Sequence, residues 1–134
     1  MHNTLNKHLN RKYPCLDVQV KQHEYLYVIQ TREHIKLNLP VYKVGRSKQS
    51  LYIDGNTKRM QQYPKGSVQL ALFTGEDCIS AENNLINKLI QSHDLKHRLD
   101  IGHEYFEGQL STILAITSQT VSAFIPQSLI LQIL

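Results

Sequence analysis

Three stretches of the chain alternate their side chains with a period of two. In Tyr25-Leu26-Tyr27-Val28-Ile29-Gln30, an extended backbone puts Tyr25, Tyr27 and Ile29 on one face and Leu26, Val28 and Gln30 on the other. In Val41–Arg46, residues Val41, Lys43 and Gly45 share a face opposite Tyr42, Val44 and Arg46. In Ser67–Thr74, residues Val68, Leu70 and Leu72 alternate with Gln69, Ala71 and Phe73. The period changes to that of a helix from Cys78 to about His93, where Cys78, Ala81, Leu85, Ile86, Leu89 and Ile90 form one apolar stripe behind a capping Asp77. The remaining segments are set by breakers. Pro14 interrupts any helix in the polar first segment, and the charged connection Thr31–Pro40 ends in a proline that holds Leu39 extended. Asp54-Gly55 is a turn signal, and a short helix Thr57–Tyr63, capped by Asn56 or Thr57, is closed by Pro64 and Gly66. Residues 97–108 read as loop apart from an extended His103–Phe106. Leu110–Ile116 reads as a helix, and Leu129–Leu134 as a final apolar segment.

These elements predict an α+β fold: a small, mostly antiparallel three-stranded sheet flanked by helices. The expected organisation is a basic polar arm over residues 1–22, a domain over 23–118 and an apolar C-terminal segment over 119–134.

Composition narrows the setting. At 134 residues, 41% hydrophobic and 19% charged, the chain is one ordinary globular domain. Cys15 and Cys78 form no C-x-x-C pair, so neither a zinc ribbon nor a disulfide framework is indicated. With no apolar signal core and no span of about 20 apolar residues, the expected location is intracellular, without membrane attachment. Charge is uneven: residues 32–65 hold eight Lys/Arg against two acids, whereas residues 66–134 hold three against seven. A basic middle can attract phosphates and an acidic second half can hold a divalent cation.

Glu82 is the sharpest chemical clue, because it falls near the middle of the apolar stripe of the long helix. A carboxylate facing a core loses hydration, at a cost of several kcal/mol unless it is compensated. Three outlets exist: a salt bridge to Arg or Lys, an edge position that reaches water, or a metal. Lys43 and Arg59 are the cations that can share a pocket with it. Arg46, Lys48, Lys58 and Lys65 suit backbone-phosphate contacts, although solvated surface charge is the commoner use of such residues. Tyr63 can stack on substrate or cover the core, and the core is the expectation. His93, His97 and His103 loosely mimic metal spacing but read as polar surface. Ser47 and Ser50 lack a His-Asp arrangement.

Taken in order, Tyr25-Leu26-Tyr27, Tyr42-Lys43-Val44-Gly45-Arg46-Ser47, Arg59, Glu82 and Glu104-Tyr105-Phe106 resemble the GIY-YIG nuclease superfamily. The similarity is to the variant branch carried by phages and large DNA viruses, whose second motif reads Tyr-Lys-Ile-Gly-Arg-Thr. It covers about residues 24–116. The resemblance implies a metal-dependent DNA endonuclease of viral or phage origin. In it, Tyr27 orients or deprotonates the attacking water, Gly45 closes the strand beside the site, and Arg59 binds the scissile phosphate. Glu82 then holds one divalent cation, magnesium or manganese. Arg46, Lys48 and Lys58 are the expected substrate contacts, and Glu104 a candidate second carboxylate.

Lys43 stands where the second motif has its tyrosine, and Tyr25 where the first motif has its glycine; a late asparagine has no counterpart. Lys43 can serve as a base if its pKa is strongly lowered, or more simply bind phosphate. Two other functions follow from these departures and from the tail. One is a catalytically inactive DNA-binding or regulatory module that retains the fold. The other is an interaction domain that uses the apolar segment from Phe124 to Leu134 as an oligomer contact.

Overall fold

The computed structural model describes residues 24–48, 62–75, 77–124 and 129–133. The N-terminal arm, the Asp54-Gly55 turn, the helix expected from Thr57 up to Gln61, and with it Lys58 and Arg59, lie outside the described residues.

The chain runs β1 (Glu24–Gln30), α1 (Arg32–Lys36), β2 (Val41–Ser47), β3 (Val68–Gly75), α2 (Cys78–Gln91), β4 (Lys96–His97), β5 (Tyr105–Glu107), α3 (Leu110–Phe124) and β6 (Leu129–Ile133). The six strands form one sheet in the order β4-β5-β2-β1-β3-β6, with every pair antiparallel. The α+β class holds, and the three expected strands are the centre of the sheet. The strand number is corrected from three to six. β4 and β5 are two and three residues long, too short to show a period, and β6 is a short, mostly apolar run whose sequence suits strand or helix equally. The apolar C-terminal segment expected over 119–134 is divided: residues 119–124 continue α3, and Leu129–Ile133 pairs with β3 at the sheet edge.

The period-two reading of the central strands is reproduced except at the start of β3, where a bulge at Leu70 pairs Gln69 with Ile29, on the face opposite Ala71 and Phe73. Leu26, Val28, Val44, Ala71 and Phe73 face the helices. There they pack with Cys78, Ala81, Leu85, Ile86 and Leu89 of α2, Phe106 of β5, and Ile113 and Val121 of α3. Tyr25, Tyr27, Ile29 and Leu72 point the other way and form a second, smaller cluster, against which Tyr63 packs. Burial on both faces is what makes β1 the spine of the molecule.

α2 begins where Asp77 accepts a hydrogen bond from Ser80 N–H at 3.2 Å, the expected cap. It ends at Gln91, with Ser92 already extended, and Ile90 at its end is exposed. α3 passes the expected stop at Ile116. The polar run that reads as a terminus is accommodated because Thr117 and Thr120 donate their hydroxyls to the carbonyls of Ile113 and Ile116, each at 2.7 Å. The Thr31–Pro40 connection contains the one-turn helix α1, stopped by Asn38 at a φ of 55°. No helix among the described residues is long and apolar enough to cross a membrane.

Candidate functional site

Sheet register builds the site. Tyr27 is paired with Gly45, and Ile29 with Lys43, so Tyr27 and Lys43 emerge on the same face, one pair apart. Gly45 has no side chain, and the ring of Tyr27 fills that space: a Cβ on Gly45 would lie 2.7 Å from Tyr27 Cε1. What approaches the backbone at this glycine is the site's own tyrosine.

On its other side β2 pairs with β5 only through Lys43↔Tyr105, after which the Val44 N–H still donates to the Glu104 carbonyl at 3.1 Å. Among the described residues, Gly45–Ser47 then have no strand neighbour on that side. This notch in the sheet lets groups from both faces meet. A pocket of about 180 Å³ occupies it, lined by Tyr27 and Lys43 from one face and by Arg46, Glu82 and Glu104 from the other.

Glu82 takes two of its three outlets at once. Its side chain keeps 14% exposure at the pocket wall, and its Oε1 lies 4.0 Å from Arg46 Nε. Burial pushes its carboxyl above the usual value, and the charge of Glu104 together with a hydrogen bond to that side chain pushes it further; Arg46 and Lys43 oppose this. Arg46 is held by Glu24, donating from Nη1 to Oε2 at 3.2 Å, and its buried Nε has no hydrogen-bond partner among the described residues. Lys48 is well exposed at the same end of β2, 3.9 Å from Glu24.

Lys43 is not placed to be a base. Burial alone would lower its pKa, but a hydrogen bond to Tyr63 and the charges of Tyr63, Glu104 and Tyr105 outweigh burial, so the net shift is upward. Its Nζ donates to Tyr63 Oη at 2.6 Å and sits 3.9 Å from Glu104 Oε1. The charged ammonium suits phosphate binding. Tyr42, on the opposite face, is packed against the helix-side core and cannot stand in for the second-motif tyrosine.

Tyr63 does more than cover the core. Its ring packs on the second cluster as expected, but its hydroxyl reaches both Lys43 and Tyr27, the latter at 3.2 Å. A tyrosine between two turn residues carries no sequence signal for such a contact. Glu104 is brought to Glu82 by the β5 pairing. His97 stacks on Phe106 with ring centroids 4.7 Å apart and bonds the His103 carbonyl at 2.7 Å.

Compared with family models, with curated proteins and with solved structures, the chain matches none. The donor set must therefore be judged on its own chemistry. Two carboxylates that share a hydrogen bond at one pocket wall repel each other when both ionise, and a cation between them relieves that repulsion. Among the described residues no group of three or more His, Cys, Asp or Glu is placed to hold a metal. Glu82 and Glu104 are the carboxylates that line the pocket, with Arg46 at 4.0 Å from the first and Lys43 at 3.9 Å from the second.

Proposed function

We propose that the chain is a metal-dependent DNA endonuclease of GIY-YIG type, hydrolysing phosphodiester bonds at the pocket in the sheet notch. One observation carries the reading. Tyr27, Lys43 and Glu82, which the resemblance singles out on three separate elements, line a single pocket.

In this reading Tyr27 orients the attacking water at the pocket wall. Lys43 and Arg46 bind non-bridging phosphate oxygens, their positive charge matching the charge that grows there during displacement. Arg59, outside the described residues, is proposed for the scissile phosphate, and Lys48 and Lys58 for flanking phosphates. Glu82, with Glu104, would hold one magnesium or manganese ion. When bound, that ion supplies Lewis-acid stabilisation of the oxygens around phosphorus.

The test is incubation of wild type and Glu82→Gln with supercoiled, branched and single-stranded DNA, in magnesium, manganese or EDTA. Metal-dependent cleavage by wild type alone supports the reading; equal cleavage by Glu82→Gln sinks it. A second reading, a catalytically inactive DNA-binding module, is favoured by one feature: the second-motif tyrosine is replaced by a lysine whose charge is locked by Tyr63 and Glu104. It predicts salt-sensitive binding, no turnover and no effect of magnesium.

A further inference from the structure

Tyr63 lies outside the pocket wall, yet its oxygen is bonded to two side chains that line it, Lys43 on β2 and Tyr27 on β1. A lysine ammonium only donates, so Tyr63 Oη accepts from Lys43 at 2.6 Å, a short, charge-assisted contact. The same oxygen shares a hydrogen bond with Tyr27 Oη at 3.2 Å, in which either hydroxyl can be the donor.

We propose that Tyr63 is a positioning residue of this site: its hydroxyl joins the Lys43 ammonium to Tyr27 and fixes the orientation of the Tyr27 phenol. The second strand carries Lys43, and the segment before β3 brings the phenol of Tyr63 against its ammonium. This role rests on the nuclease reading. The Tyr63 ring has its own structural task in the second cluster, so the hydroxyl is the part to be tested.

Tyr63→Phe removes the hydroxyl and keeps the ring. In the full chain, with tyrosine labelled at the ζ carbon, Lys43→Met is expected to displace the Tyr27 signal near neutral pH. The same substitution made in Tyr63→Phe should displace it no further. Equal displacement in both backgrounds overturns the link. On a cleaved DNA, Tyr63→Phe is expected to lower kcat about 10-fold with KM unchanged, less than the roughly 100-fold or more of a group that itself transfers the proton. Coupled signals with an unchanged kcat overturn the positioning role alone. A wild type that cleaves no DNA overturns the nuclease reading and this role with it, while the spectra still decide whether the link exists.

Discussion

The ring of Tyr27 occupies the volume that a side chain on Gly45, its cross-strand partner, would need. Tyr27 is nearly fully buried and leans on Tyr63, so it has little room to withdraw. Gly45→Ala is therefore expected to destabilise the fold by about 1–3 kcal/mol, the usual cost of forcing atoms into a packed site. Urea denaturation followed by circular dichroism measures this. Cleavage should fall more than stability does, because the displaced group is Tyr27 itself.

Glu82 and Glu104 give the site a pH signature. The Glu82 carboxyl is raised above 4.5 in the fold, first by burial and then by Glu104, so the folded chain binds that proton more tightly than the unfolded chain. The associated stability is complete below 4.5 and is lost as pH rises through the raised folded value. Glu82→Gln stays neutral throughout. It is expected to be more stable than wild type near neutral pH, with the difference closing in acid, as read from denaturation midpoints across the range. Magnesium should raise the wild-type Tm near neutral pH and leave that of Glu82→Gln unchanged.

Lys43 works as a cation in this site. On the proposed reading, Lys43→Arg keeps the charge and should retain part of the DNA affinity, whereas Lys43→Met should lose about 1.5–3 kcal/mol of it, the scale of one hydrogen bond to a charged group. Filter binding at two salt concentrations separates the two. Full retention of affinity in Lys43→Met would remove Lys43 from the phosphate contacts.

Arg98 braces the segment that delivers Glu104. Its Nε and Nη2 grip Asp100 at 2.9 and 2.7 Å, and its Nη1 grips Glu107 of β5 at 2.7 Å. The Asp100 carboxyl is held down at about 2 by this contact. Arg98→Ala should speed amide exchange across residues 98–107 and weaken cleavage through Glu104, with α2 exchange unchanged. Below pH of about 2 Asp100 protonates in the folded state too, so an Asp100→Asn variant should there match wild type.

The alternating stretches around Tyr27, Val44 and Leu72 marked the three central strands and which side chains share a face, because an extended backbone sends successive side chains to opposite sides. The stripe on α2 likewise marked Glu82 as a carboxylate in need of an outlet. Tertiary structure alone decided which outlet it took. Pairing of the three-residue β5 with β2 set Glu104 beside Glu82, and it also ended soon enough to leave the notch at Gly45–Ser47. The same holds for Tyr63, whose hydroxyl meets residues 20 and 36 positions away. Local periodicity reports which face a side chain takes. Contacts between distant segments depend on register and strand length, which are settled only when the whole sheet packs.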